Sequence, residues 1–249
     1  MKDLVLLHGW AMGRGIWDPV IPALEPGFRV HNLDLPGYGA GNAADFECYR
    51  SLAPDEILDE WSDRSLAAAP SGAVWMGWSL GAMVALNAVR RATGEIEALV
   101  LVSATPKFMR SNDWDSGVDR DTMHDFLEGF RTNHRKTLTR FALLQAGDIG
   151  DARRLAGTLH RSLTGVGCGP AVMELGLAVL EQVDLRGVLR EIEIPVRLIH
   201  GRHDRIVPHA AGAYLADHLP RGELVSLNAG HAPFVTQPSE FLEALPAWT

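Results

Sequence analysis

Apolar residues come in blocks along this chain. Strand-sized runs occur at Leu4–Leu7, Phe28–Leu33, Ala73–Met76, Ala98–Val102, Val196–His200 and Glu223–Leu227. Several are unbroken by any polar residue, the pattern of strands buried on both faces of a parallel sheet. Helical spacing appears between them. From Pro54 to Ala69 the residues Ile57, Leu58, Trp61 and Leu66 recur on one face, with Pro54, Asp55 and Glu56 suited to a helix start. A second helix is expected from Ala82 to about Arg91, and Ile16-Trp17 with Pro19, Pro22 and Pro26 predicts a short helix among loops. Strands alternating with helices imply an α/β fold, a mostly parallel central sheet flanked by helices.

After Pro106 the rhythm changes. No strand-like run is found between about Thr105 and Arg186, only four amphipathic stretches: Val118–Arg131, His134–Ala146, Asp151–Leu163 and Pro170–Val183. The simplest organisation is one α/β core in two parts, residues 1–105 and 189–249, with a helical cap inserted at 106–188.

The stretch with the most chemistry is Gly77-Trp78-Ser79-Leu80-Gly81, which is G-x-S-x-G between an apolar strand and a helix. A chain that turns from strand to helix so tightly needs glycine on both sides, and it presents Ser79 at the helix start. Free N–H groups and the positive end of the helix dipole gather there. A serine hydroxyl is a poor nucleophile without a base, and the base needs an orienting acid. In elbow-bearing folds these follow in the order Ser, acid, His. Asp204, in Gly201-Arg202-His203-Asp204, follows one strand, and His231, in Ala229-Gly230-His231-Ala232-Pro233-Phe234, follows the last. Both fall at strand C-terminal ends, the edge at which the elbow presents Ser79. Each has a plainer role open to it: Asp204 suits a helix cap, and nine other histidines compete with His231. The loop after Ala98–Val102 reads Ser103-Ala104-Thr105-Pro106 and offers no carboxylate. The oxyanion needs two N–H donors, expected from the backbone of Leu80 and of Trp10, whose side chain equally suits a core aromatic.

With 249 residues, the chain is long enough for one large core with an insertion. No run approaches the ~18 apolar residues of a membrane span, so no membrane is expected. MKDLVLLHGW lacks the length and cleavage site of a signal peptide, and Cys48 and Cys168 form no disulfide framework or zinc spacing. The expectation is a cytoplasmic protein with no metal and no cofactor. A net charge of −8 argues against nucleic acid as partner.

LVLLHGW, DLPGYG, GWSLG, GRHDRIVP and GHAPF, in that order, resemble the α/β-hydrolase superfamily. The tryptophans of HGW and GWSLG, the run Arg140–Gln145, Val183–Arg186 and His231–Phe234 resemble one group within it, the pimeloyl-acyl-carrier-protein methyl ester carboxylesterases of biotin synthesis. The resemblance implies a serine esterase acting through Ser79, His231 and Asp204. It also implies a substrate site built from Trp10, Ser79, Leu80, Phe141, Ala142, Leu143, Leu144, Gln145 and His231. The chain departs from the superfamily pattern in beginning at the HGW strand, so a sheet trimmed at one edge is expected. The alternatives are a generalist short-chain carboxylesterase, a carbon–carbon bond hydrolase on the same scaffold, or a hydrolase-fold ligand-binding protein.

Charge adds a partner to this picture. Residues 131–161 carry seven Lys/Arg (Arg131, Arg135, Lys136, Arg140, Arg153, Arg154 and Arg161) and two acids, Asp148 and Asp151. Arg131/Arg135 and Lys136/Arg140 share helix faces at i, i+4. Either this is a solvated face, or Arg131, Lys136, Arg140, Arg153 and Arg154 steer an anionic macromolecule such as an acidic acyl carrier protein.

Overall fold

The computed structural model describes residues 1–39, 49, 51–146, 159 and 169–246. Arg153, Arg154, Cys48, Cys168 and nearly all of the expected Asp151–Leu163 stretch lie outside the described residues. Six strands, β1 (Lys2–Leu7), β2 (Phe28–Leu33), β3 (Ala73–Trp78), β4 (Ile96–Val102), β5 (Val196–Gly201) and β6 (Gly222–Leu227), form one sheet. Their order is β2-β1-β3-β4-β5-β6 and every pairing is parallel. All of β3 and the last four residues of β1 are buried, whereas the edge strands β2 and β6 are half-buried.

Helices α1 (Pro54–Ala68) and α2 (Leu80–Arg91) pack together beside this sheet. α1 starts at a proline, whose missing N–H costs nothing in a first turn, and the Glu56 carboxylate accepts the Ala53 N–H at 2.7 Å. Ser62 Oγ donates to Val84 O across the helix pair at 3.2 Å, and Asn87 Nδ2 donates back to Ser62 Oγ at 3.0 Å. Later come α3 (Arg120–Ala146), α4 (Pro170–Gln182), α5 (His209–His218) and α6 (Pro238–Glu243). Among the described residues no helix is long and apolar enough to cross a membrane.

Three boundaries differ from the periodicity. β3 runs two residues past Met76 because Trp78 still pairs with Val102 of β4. α2 therefore begins at Leu80, two residues earlier than the pattern suggests. Val118 is not helical: it exchanges backbone hydrogen bonds with Phe108 and Arg110, in a bridge that adds extended structure to a region expected to hold helices alone. The expected break between two helices near residue 132 is real. Asn133 has φ −153° and ψ 80° inside α3, and its side-chain oxygen accepts the Lys136 N–H at 3.0 Å, capping the second half.

The segment between β4 and β5 leaves and rejoins the sheet at one place. Leu185 N–H donates to Pro106 O at 2.8 Å, and Arg186 reaches Asp184 and Asp113 at 2.7 and 2.8 Å. A second attachment is aromatic. Trp10, in the loop after β1, is 3 % exposed and meets Phe126, Phe130 and Phe141 of α3 edge-on, with ring centroids 5.1–5.7 Å apart. Such pairs contribute about 0.5–1.5 kcal/mol each beyond the area they bury. The Trp10 indole N–H donates to Met173 O of α4 at 2.8 Å.

His8 follows β1 as a fully buried, neutral imidazole. Nδ1 donates to Gly9 O at 2.8 Å, and Nε2 accepts the Leu35 N–H at 3.0 Å. Protonating Nε2 would set two hydrogens against each other. Burial pushes the His8 pKa down to about 4, against the opposing pull of the Gly9 carbonyl and the Asp34 charge. The unfolded chain takes up this proton below about pH 6.5, and the folded chain does not until about 4. Stability should therefore fall as pH falls between those values, by about 3 kcal/mol from this group. Urea unfolding at pH 7 and pH 5 should show about 2 kcal/mol of it. The expected uptake is about one proton on unfolding at pH 5, and it should vanish in His8→Gln.

Candidate active site

The elbow is shaped by backbone in contact with backbone. Ser79 sits at φ 55°, ψ −116°, a left-handed conformation that costs about 1–3 kcal/mol in a non-glycine residue. It is held there by its own N–H to Val102 O (3.0 Å) and by its carbonyl, which accepts the Ala82 N–H (3.0 Å). A Cβ at Gly77 would lie 2.5 Å from Gly81 O, and one at Gly81 would lie 2.5 Å from His8 O. Glycine is thus demanded by close approach at both positions. Leu80 is the first residue of α2, so its N–H is one of the helix-start donors with no partner in its own helix.

His231 is fixed from three sides. Its carbonyl accepts the Trp78 indole N–H at 2.8 Å, next in sequence to Ser79. Its own N–H donates to Gln145 O at the end of α3, at 3.1 Å. Phe234, three residues on, stacks on Trp17 at 4.2 Å and meets Trp78 edge-on at 5.2 Å. The loop lies directly on the end of β5. Gly201 has no room for a side chain against Ala229 O and Gly230 O, and His203 N–H donates to Ala229 O at 3.0 Å.

That contact brings Asp204 to His231. The Asp204 side chain is fully buried, and its Oδ2 accepts His231 Nδ1–H at 2.7 Å. Oδ1 accepts the N–H groups of Ile206 (2.8 Å) and Val207 (2.9 Å). Its role is therefore double: it shapes the turn ahead of α5 and it holds the imidazole. Burial pushes the carboxyl up, but the facing charge of His231 and the contacts from His200 and His231 outweigh it. Asp204 is held well below the ordinary carboxylate range. Ser79 is half-buried and makes no hydrogen bond to His231 among the described residues; Trp78 provides the link between them.

Ser79 opens into a cavity of about 110 Å³ lined by Trp10, Phe108, Val118, Thr122, Met123, Phe126, Phe141, Leu144, Leu177, Leu180, Arg205 and Ile206. Of the run 141–145, Phe141 and Leu144 reach it. Ala142 is buried, and Leu143, also expected at the substrate, turns outward and is 49 % exposed, because consecutive residues of a helix are rotated about 100° from one another. Gln145 is fully buried, and neither side-chain amide atom has a hydrogen-bond partner among the described residues. Arg131, Lys136 and Arg140 are exposed on α3, and Arg131 lies 3.8 Å from Glu174. Lining residues Val118, Thr122 and Met123 carry no motif, and only the fold reveals them.

The chain belongs to the α/β-hydrolase fold family, whose model matches residues 3–238. Solved structures agree on the fold: a hydrolase from Oleispira antarctica superposes with a TM-score of 0.86 at 21 % identity, covering 98 % of this chain and 90 % of that one. An esterase from Exiguobacterium antarcticum does so at 0.87 and 19 %, covering 100 % and 91 %. Within the fold the chain belongs to the family of pimeloyl-(acyl-carrier protein) methyl ester esterases. The relative so named from Nitrosomonas europaea is 39 % identical over 247 residues, 98 % of this chain and 94 % of the relative. The one from Methylococcus capsulatus is 40 % identical over 239 residues, 94 % and 89 % of the two chains.

If Asp204 and His231 act as acid and base, the pH profile has one acid limb. Asp204 stays ionised from pH 5 to 8, so the acid adds no limb of its own there. kcat/KM for a p-nitrophenyl ester should rise with a slope of one and then level off, since a protonated imidazole cannot accept the serine proton. Asp204→Asn should lower kcat by about 10⁴ without unfolding the protein. A flat profile, or an Asn variant with wild-type kcat, would overturn the pairing.

Proposed function

We propose that this protein hydrolyses the methyl ester of a pimeloyl chain borne on acyl carrier protein, in the cytoplasm, releasing methanol and a free carboxylate. The observation that carries the reading is an apolar cavity that ends at an elbow serine, with the buried Asp204–His231 pair beside it. The names of the relatives supply the acyl group and its carrier.

In this reading Ser79 Oγ attacks the ester carbonyl while His231 takes its proton. The N–H groups of Leu80 and Trp10 receive the oxyanion, which costs no reorganisation because both are held in place by the fold. Collapse expels methoxide, protonated by His231, and leaves an acyl-enzyme. His231 then takes a proton from water, which attacks the acyl-enzyme and frees Ser79. The apolar walls at Phe141, Leu144, Leu177 and Leu180 suit an unbranched methylene chain. The exposed cations Arg131, Lys136 and Arg140 supply the surface that would steer an acidic carrier.

The test is hydrolysis of pimeloyl methyl ester, and of shorter and longer homologues, each free and carrier-linked. Preference for the carrier-linked pimeloyl ester is expected; equal turnover of short free esters would instead indicate a generalist esterase. Ser79→Ala should lower kcat by about 10⁴–10⁶. A variant retaining a tenth of the activity would exclude Ser79 as nucleophile.

The basic face has its own test. Lys136→Glu with Arg140→Glu should lower kcat/KM for the carrier-linked ester about tenfold at low salt, less at 0.15 M where screening acts over about 8 Å. A small neutral p-nitrophenyl ester should change less than about twofold, having no charge to steer. Equal losses on both substrates would mean damage to α3, and no loss on either would mean a merely solvated face.

A further inference from the structure

Beside the acid and the base stands a second buried imidazole for which the reaction scheme above has no role. His200, next to last in β5, is 1 % exposed. Its Nε2 lies 3.0 Å from Val207 O and 3.3 Å from Asp204 Oδ2. A carbonyl only accepts, so Nε2 carries the proton, and that N–H also faces the carboxylate oxygen that receives His231 Nδ1–H. Val207 ties both ends of the arrangement: its N–H donates to Asp204 Oδ1 at 2.9 Å, and its carbonyl accepts from His200. One ring therefore braces the turn that grips Oδ1 and contacts Oδ2 directly. The fold reserves the space for it, since a Cβ at Gly212 of α5 would lie 2.5 Å from His200 Nδ1.

The other titratable groups around the ring are few. His231 approaches from the loop after β6, and Arg202 stands in the loop after β5. His209, at the start of α5, meets His200 edge-on at 5.6 Å and bonds through Nε2 to Ser226 Oγ of β6 at 2.7 Å. Burial, then the neighbouring His200 and Arg202, hold His209 below the ordinary imidazole range, so it brings no charge to the cluster at pH 7.

We propose that His200 is a positioning residue for the acid of the triad: its Nε2–H, shared between Val207 O and Asp204 Oδ2, fixes the carboxylate and tempers its pull on the His231 proton. The proposal rests on the triad reading above. A donor on Oδ2 draws charge away from the oxygen that faces His231, which makes the imidazolium less favourable. Without that donor His231 should hold its proton to higher pH, and the freed carboxylate should orient it less well.

His200→Phe keeps an aromatic ring and removes the N–H, whereas His200→Gln restores an amide N–H near the same place. With a p-nitrophenyl ester, the Phe variant should show kcat about tenfold lower and KM within about twofold. The acid limb of its kcat/KM profile should move up by about half a pH unit. The Gln variant should recover most of kcat and the wild-type limb. Adding His200→Phe to Asp204→Asn should change nothing further, because the group it acts through is gone. If the Phe variant fails to fold, His200→Met, also without a donor, takes its place. An unmoved acid limb in the donor-free variant sinks the proposal, even if kcat falls, because loss of packing alone would then explain it. Should Asp204→Asn be crippled while His200→Phe matches wild type, only this proposal fails. Wild-type activity in Asp204→Asn would instead remove the triad reading beneath it.

Discussion

The first turn of α2 touches the ends of two strands with no side chain in between. The carbonyls of Leu7 and His8 on one side, and of Gly81 above Gly77 on the other, leave no volume for a single added carbon. Because backbone cannot be repacked as a side chain can, this contact sets where α2 starts relative to β1 and β3. Ser79 inherits its left-handed conformation from that placement. The loop carrying Trp10 leaves β1 at the same point, so the backbone N–H groups of Leu80 and Trp10 are referred to one rigid junction. The strain at Ser79 is a small term against the burial of β1, β3 and α2, and their packing can sustain it.

Two tryptophans carry this order outward. Buried indoles are large apolar bodies with one donor to satisfy. Among the described residues Trp17, Trp61 and Trp75 leave that donor unpaired, in a core that rewards their bulk alone. Trp10 and Trp78 use it on distant chain: Trp10 on Met173 of α4, Trp78 on His231 after the last strand. Each joins the elbow region to a segment more than 150 residues away in sequence, by a hydrogen bond as well as by packing.

Much of this was legible in advance, for a physical reason. A strand covered on both faces has no polar side to present, so Leu4–Leu7 and Ala98–Val102 stand out as unbroken apolar runs. The positions of Asp204 and His231 follow from their place just after β5 and β6, which are neighbours in the sheet. Their contact is less visible. It depends on Gly201 letting one loop lie on the other, and nothing in the spacing of GRHD says which carbonyls press on that glycine. The outward turn of Leu143 needs the helix phase, which the interruption at Asn133 resets. By periodicity His200 is only a residue near the end of a strand. Its inward orientation relies on the space at Gly212, twelve positions on and in another element, and local pattern does not carry such a relation.

The hydrogen bond from His231 N–H to Gln145 O joins the loop after β6 to the end of α3. It is backbone to backbone, so no substitution other than proline at 231 removes it, and sequence drift in α3 leaves it intact so long as the helix ends in the same place. This makes the segment between β4 and β5 harder to exchange than its position between two strands suggests. A chimera carrying the helices of another hydrolase would keep its sheet and its elbow, and still leave the histidine loop without its outer anchor. Length is the property to match in such a graft: a helix ending one residue early or late would turn its last carbonyl by about 100°. Substrate range can then diversify through side chains on the cavity wall while the registry of the helix end stays constant.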